Sequence, residues 1–457
     1  MMDSSQNDFL NTEEIYYLAL GETTRIGASS HYLRLGRWGI ILDTGIDPCH
    51  QGEEALPRFE LLKEHPVNAI IISHAHLDHL GALPVALRYF PQARIYMTPP
   101  TAVLSEILLF HYLRVQNRKA EEQWEPYVPL YSEAEVENLL YLFQTFKYNF
   151  PFRIHGFQES NIEITFWDAG HILGSAGIEI QWRGRKIFYT GNTKKSSQFI
   201  LKGARYPRQT DILITETTYG ADCRASRIKK SNEVKRFVQF LSEHIRLGGS
   251  ILIPVFALGR TQEILMLLHQ LIMKNRLPAV PIYITGLGKE INRIYDRQLH
   301  KVYPEYDWKR LQTITYNLLR GRRFQKPAII LATSGMMIPR TLSYEIAAEF
   351  LTERRNGIAL VGWADPETPG GALREKKIEE IKIIFGVDQI LCGIEMFYFS
   401  AHSHREELLS MIEQLRPGKI ILCHGELEAQ LWIRSAIENR FLKSKIILPK
   451  SFHFIKL

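Results

Sequence analysis

The chain is poor in cysteine. Its 457 residues hold four, Cys49, Cys223, Cys392 and Cys423, and no two form a Cys-x-x-Cys pair. That scarcity argues against a disulfide frame and a thiolate zinc site, and fits a reducing compartment. No apolar run approaches the roughly 20 residues a membrane helix needs, so no membrane partner is expected. Residues 1–11 are polar and acidic, without a basic n-region or an apolar h-region. Secretion is therefore not expected, and a cytoplasmic location is. Internal repeats and low-complexity stretches are also missing, which excludes solenoids and disorder as the main character.

What is there is an ordinary globular mixture, 45% hydrophobic and 23% charged, in a length that suits two or three domains. Lys and Arg number 56 against 49 acids, a formal charge of +7 with a pI near 9.0. That excess favours polyanion partners through phosphate neutralisation. It is concentrated at Arg227, Lys229 and Lys230, at Arg320, Arg322, Arg323 and Lys326, and at Arg374, Lys376 and Lys377. Most such runs are solvated faces, so charge alone decides nothing.

The first half alternates short apolar runs with turn residues. Ile15 to Leu20, Tyr32 to Leu35 and Gly39 to Leu42 read as antiparallel strands, and Ala69 to Ile72 as a buried one. A helix is expected over Leu80 to Phe90, with others over Ala102 to Arg114 and Ser132 to Leu142. Gln116 to Leu130, charged and aromatic with two prolines, reads as a loop. Strands resume at Ile162 to Trp167, Gly177 to Trp182 and Lys186 to Tyr189. After about residue 215 strands alternate with helices, for example Ser250 to Val255 followed by Thr261 to Met273. This pattern implies parallel βαβ units. Strand and helix recur at Lys419 to Cys423 and Leu427 to Asn439, with a last strand at Lys445 to Leu448. The expected organisation is an α/β chain with a β-rich domain over residues 1–215, an inserted α/β domain over 216–391, and a return segment over 392–457.

The most informative stretch is Ser73-His74-Ala75-His76-Leu77-Asp78-His79-Leu80-Gly81, directly after an apolar strand. Histidines at i and i+2 on a loop turn two imidazoles toward one cation. The Asp and His that follow, at a helix start, aim at a second. Borderline metals such as zinc accept this nitrogen and oxygen set. Two further histidines sit in matching contexts: His171 in the Gly-flanked turn Asp168-Ala169-Gly170-His171, and His424 at the strand end Cys423-His424-Gly425. Asp43, closing the Ile40-Ile41-Leu42 strand, would accept from and orient a ligand histidine.

Together these motifs resemble the metallo-β-lactamase-fold hydrolases: His-x-His-x-Asp-His, a Gly-His turn, then a strand ending in Thr-Gly. The resemblance implies an αββα sandwich with metals at the sheet edge. Carried over, His74, His76 and His171 would hold one metal, and Asp78, His79 and His424 a second. A water deprotonated between them would be the nucleophile. Zn²⁺ at two sites is the expected cofactor, with Mn²⁺ as an alternative. One position departs: after Ile187-Phe188-Tyr189-Thr190-Gly191 the family's bridging Asp is Asn192. An amide oxygen ligates without bringing charge, so a weaker second metal and slower turnover are expected.

The rest of the chain resembles the β-CASP branch, nucleases that process RNA and DNA. Ile214-Thr215-Glu216-Thr217-Thr218-Tyr219-Gly220, Phe399-Ser400-Ala401-His402 and Cys423-His424-Gly425-Glu426 resemble its three ordered motifs. A His in the third resembles the RNA-acting members. The resemblance implies Asp78, His402 and Glu216 as the catalytic set, with His402 donating a proton and touching phosphate while Glu216 orients it. It also implies phosphate contacts from Arg260, at a helix start after Gly259, and from Ser334 before Gly335. Ala-His-Ser-His stands where many relatives have Ala-His-Ala-Asp, so His404 replaces an acid.

Three readings follow. The first is a metal-dependent ribonuclease admitting single-stranded RNA between its domains. The second is a degenerate paralogue that binds RNA or scaffolds a partner subunit or second copy, a reading that rests on Asn192 and His404. A small-molecule hydrolase is third, disfavoured by the inserted domain and the basic balance.

Overall fold

The computed structural model describes residues 13–122, 129–155, 159–302, 315–318, 321, 323–362, 364–440 and 444–457. Arg320 and Arg322 lie outside these residues, as does most of the second half of the expected loop at 116–130. No helix among the described residues is long and apolar enough to cross a membrane.

The chain divides into two compact units. One comprises residues 1–197, 203–226 and 402–457; the other comprises 198–202 and 227–401. Strands are numbered in chain order. The first unit opens with Ile15–Ala19 (β1), His31–Leu35 (β2), Trp38–Leu42 (β3), Ala69–Ile71 (β4), Arg94–Met97 (β5) and Phe143–Thr145 (β6). Phe152–His155 (β7), Glu159–Asp168 (β8), Ala176–Trp182 (β9), Arg185–Tyr189 (β10) and Ile212–Glu216 (β11) follow. The second unit holds Ile251–Pro254 (β12), Ile282–Thr285 (β13), Thr315–Leu318 (β14), Ile329–Ala332 (β15), Gly357–Leu360 (β16) and Gly393–Met396 (β17). Lys419–Cys423 (β18), Lys445–Ile447 (β19) and Ile455–Lys456 (β20) return to the first.

Two sheets form the first unit, in the orders β20-β1-β2-β3-β4-β5-β6 and β19-β18-β11-β10-β9-β8-β7. Alternate residues of each point into one shared core. Leu33, Ile40 and Ile71 come from the first sheet and Ile164, Ile178, Ile187 and Ile214 from the second, all essentially inaccessible to water. The period of two places Phe188 and Leu213 on the second sheet's other face. There they pack with Leu408, Ile412, Ile433 and Ile437 of helices Arg405–Leu415 and Leu427–Arg440. Helices α1 (Leu77–Leu80), α2 (Leu83–Tyr89), α3 (Pro99–Glu122) and α4 (Glu133–Leu140) accompany the first sheet. The architecture is an αββα sandwich interrupted by an α/β insert.

Two expectations are corrected. Leu80 to Phe90 is two helices, because the Ala82 amide leaves the helical ladder and donates to the Thr44 carbonyl at 2.8 Å, which separates α1 from α2. Gln116 to Glu122 is the last part of α3 rather than loop, its charged residues continuing the helix.

The second unit is a parallel sheet in the order β14-β13-β15-β12-β16-β17. Its first helices are α5 (Lys230–Arg246) and α6 (Arg260–Met273). The units meet about ten residues later than 215 and 391. β17 pairs with β16 and so stays with the second sheet, whereas Tyr219 bridges to His404 within the first unit.

Candidate metal centre

Backbone geometry at the ends of β3, β4, β8 and β18 assembles the site. β4 runs out at Ile71, and the loop after it carries His74 into the interior, fully buried. His76 sits at the N-cap of α1, a single turn that presents Asp78 and His79. His171 projects from the β8–β9 turn, whose Gly170 and Gly174 take φ of 68° and 88°. A Cβ on Gly174 would stand 2.7 Å from the Thr101 nitrogen, so the turn closes against α3 only with glycine. His424, just past β18, and Asp43, just past β3, hold left-handed φ of 48° and 61°. Such strain in non-glycine residues persists where the surroundings fix it.

The side chains converge as two groups, His74 with His76 and His171, and Asp78 with His79 and His424. The ligand-type atoms of each lie within 4.8 Å of one another. His76 Nδ1 and His171 Nε2 are 3.1 Å apart. Asp78 Oδ2 is 3.6 Å from His79 Nε2 and 3.8 Å from His424 Nε2. Asp43 fixes one wall. Its Oδ2 accepts from His79 Nδ1, Ser73 Oγ and the Tyr189 hydroxyl, each at 2.7 Å, and its Oδ1 accepts from the Ser73 amide at 2.6 Å. With Nδ1 of His79 committed as a donor, its Nε2 is turned inward as an acceptor. Ser73 Oγ also meets His74 Nδ1 at 2.9 Å, so His74 too presents Nε2 inward.

The donor set fits a cation. His79 Nε2, both ring nitrogens of His424 and Oδ1 of Asn192 are buried without a hydrogen-bond partner. Four orphaned polar atoms in one place would each cost free energy unless something electropositive satisfied them. Burial, reinforced by neighbouring imidazoles, pushes His74 well below the usual histidine range and His424 down to about 3. Both are thus neutral, the form that ligates metal. Burial works against the charged form of His79 as well, but Asp78 and Asp43 outweigh it and raise that group. The donor set therefore supports a metal cofactor.

Asn192 is 3% exposed, with Nδ2 3.5 Å from His74 Nε2. A half-turn of the amide exchanges its oxygen and nitrogen. Beside the groups stands a second arrangement. His402 Nδ1 lies 2.9 Å from Glu216 Oε2, and Glu216 Oε1 accepts the Thr193 amide at 2.6 Å. The His402 ring centroid is 4.6 Å from that of His171. Burial alone would raise Glu216, but the His402 charge and hydrogen bond hold it below the usual carboxylate range. His404 caps helix Arg405–Leu415, its ring nitrogen accepting the Glu407 amide, and so anchors the chain just after His402.

Arg260 and Ser334 belong to the second unit. Arg260 opens α6 and is 7% exposed; with Arg374, Gly335 and Gly362 it lines a crevice beyond the C-terminal ends of β12 and β16. β12 leads to β13 on one side of the sheet and β16 to β17 on the other, so the crevice is a topological switch point. The Ser334 amide and carbonyl are both tied to the Ser343 hydroxyl. The sequence reading missed Ser73 and Tyr189, which hold Asp43, and Thr193, whose amide holds Glu216; Ser73, next to His74, carried the one local signal.

Known proteins place this geometry. Family models match in order: a metallo-beta-lactamase superfamily domain at residues 32–218, a Beta-Casp domain at 261–373, and a Zn-dependent metallo-hydrolase RNA specificity domain at 388–449. The chain belongs to the β-CASP branch of the metallo-β-lactamase superfamily. Cleavage and polyadenylation specificity factor 73 of Drosophila melanogaster is 29% identical, aligned over 96% of this chain and 64% of its own length. Endoribonuclease YSH1 of Kluyveromyces lactis is 28% identical over 97% of this chain and 60% of its own. Cleavage and polyadenylation specificity factor subunit 3 of Dictyostelium discoideum is 27% identical over 94% and 56%. The chain thus spans 56% to 64% of the length of these relatives. A crystal structure of a protein of unknown function from Enterococcus faecalis V583 shares the fold, with a TM-score of 0.58 over 97% of this chain and 100% of that one, at 13% identity.

Proposed function

We propose that this chain hydrolyses phosphodiester bonds in single-stranded RNA, using two divalent cations, zinc or manganese. The observation that carries the reading is the His402–Glu216 pair standing beside two convergent ligand groups. The RNA-specificity family model and the endoribonuclease names of relatives support RNA as the substrate. His74, His76 and His171 would hold one cation and Asp78, His79 and His424 the other, and bound there they would supply Lewis acidity and a lowered water pKa. Asp43 keeps His79 in its ligating tautomer, and Glu216 commits His402 Nδ1, so proton exchange with the leaving oxygen runs through Nε2. Arg260 and Arg374 supply guanidinium charge for the RNA backbone at the switch-point crevice, with Ser334 beside it. Asn192 brings no charge where the family has a carboxylate, so a second cation would bind more weakly and turnover would be slower.

End-labelled single-stranded RNA incubated with the metal-loaded chain, with and without chelator, tests this. Chelator-sensitive cleavage is expected, and an inert fully loaded protein contradicts it. One observation favours a second reading, a degenerate RNA-binding scaffold: the neutral amide at Asn192. RNA binding without cleavage at saturating metal would establish that reading instead.

A further inference from the structure

A groove of about 360 Å³ is lined by α5, the C-terminal half of α6 and Phe199. All of it lies within the second unit. Val234 of α5 and Leu267 and Leu271 of α6 line it with apolar surface, the two leucines one helical turn apart on one face. Its rim is basic: Lys235, Lys274 and Arg276 are exposed, and among the described residues their side chains make no ion pair. No acidic residue lines it. We propose that this groove docks a partner protein segment that is acidic and amphipathic, setting two or three apolar side chains on the apolar lining between carboxylates that meet the rim.

Charge complementarity selects an acidic occupant, and the apolar lining selects peptide over nucleic acid. A single-stranded nucleic acid needs an open aromatic face for its bases. The groove's aromatic ring is already engaged, with the Lys230 ammonium 4.1 Å from the Phe199 centroid and Phe399 edge-on at 5.5 Å. Lys230 is further held by the Gln198 carbonyl at 2.6 Å. What remains is aliphatic surface between helices, the surface that receives a helix's apolar face.

Fluorescence anisotropy of the full chain with fluorescein-labelled Asp-Glu-Leu-Phe-Glu-Glu-Leu-Leu-Glu-Asp tests the proposal. Saturable binding is expected, weakened by salt and lost when Leu and Phe in the probe become Ser. Lys235→Glu with Lys274→Glu should lower affinity at least ~10-fold while the circular dichroism spectrum and RNA cleavage stay unchanged. Gln270→Trp, which fills the groove at unchanged charge, should do the same. No binding at about 100 μM, equal binding of the all-Ser probe, or unaltered affinity in both variants overturns the proposal. So does a uridine decamer that binds as tightly and is lost in the same variants, since the site would then be a nucleic-acid one.

Discussion

Asp43 and His79, 36 positions apart, meet at 2.7 Å with both side chains fully buried. The carboxylate decides which imidazole nitrogen faces the metal groups, and three other donors hold that carboxylate still.

Asp43→Asn should therefore lower metal affinity ~10–100-fold, the usual effect of losing such support. Isothermal titration with Zn²⁺ measures this. It should also destabilise the fold, since Ser73, Tyr189 and His79 donors lose a charged acceptor; each such bond is worth about 1.5–3 kcal/mol.

His76→Ala should empty its ligand group without unfolding the chain, because His76 lies at a loop end and is only part-buried. Metal content falls and the circular dichroism spectrum stays the same. Full metal retention would show that His76 is no ligand.

Asn192→Asp supplies an anion next to His74. The expected result is a tighter second cation and a cleavage rate raised ~100-fold, about 3 kcal/mol of barrier. Two tight cations in the unaltered protein, seen by titration, would remove the basis for this expectation.

Asp168 offers a test through pH. Burial pushes it up to about 6, against a smaller lowering by the Gly170 amide and Arg205. A carboxyl raised in the folded state favours folding while protonated, and that contribution is lost as pH rises through about 6. Asp168→Asn, which keeps an oxygen for the Gly170 amide, should raise stability at pH 8 by about 1–2 kcal/mol and leave it unchanged near pH 4. Water reaches the group, so the gain stays below what complete burial would give. Thermal melts of metal-free protein at both pH values read this out.

The candidate ligands were legible because His74 to His79 fall in one short string whose spacing suits a cation, and because His171 and His424 sit at strand ends beside glycine. Ser73 and Tyr189 were not, since a hydroxyl near a strand end looks alike whether or not a buried carboxylate lies opposite, and Thr193 reaches Glu216 through its backbone amide, which leaves no mark in the sequence. Arg260 and Arg374 are 114 positions apart, and only the parallel sheet order brings them to one crevice. The placement of β17 is not legible for the same reason: it joins β16 through a pairing that no local pattern records.

The central claim is hydrolysis of RNA at the metal centre with His402 moving the proton. Single-turnover cleavage of single-stranded RNA by wild type and His402→Ala, at equal measured metal content, tests it most directly. The account predicts that the variant keeps its metal and loses ~10²–10⁴-fold in rate. Equal rates for the two proteins at matched metal content would contradict it.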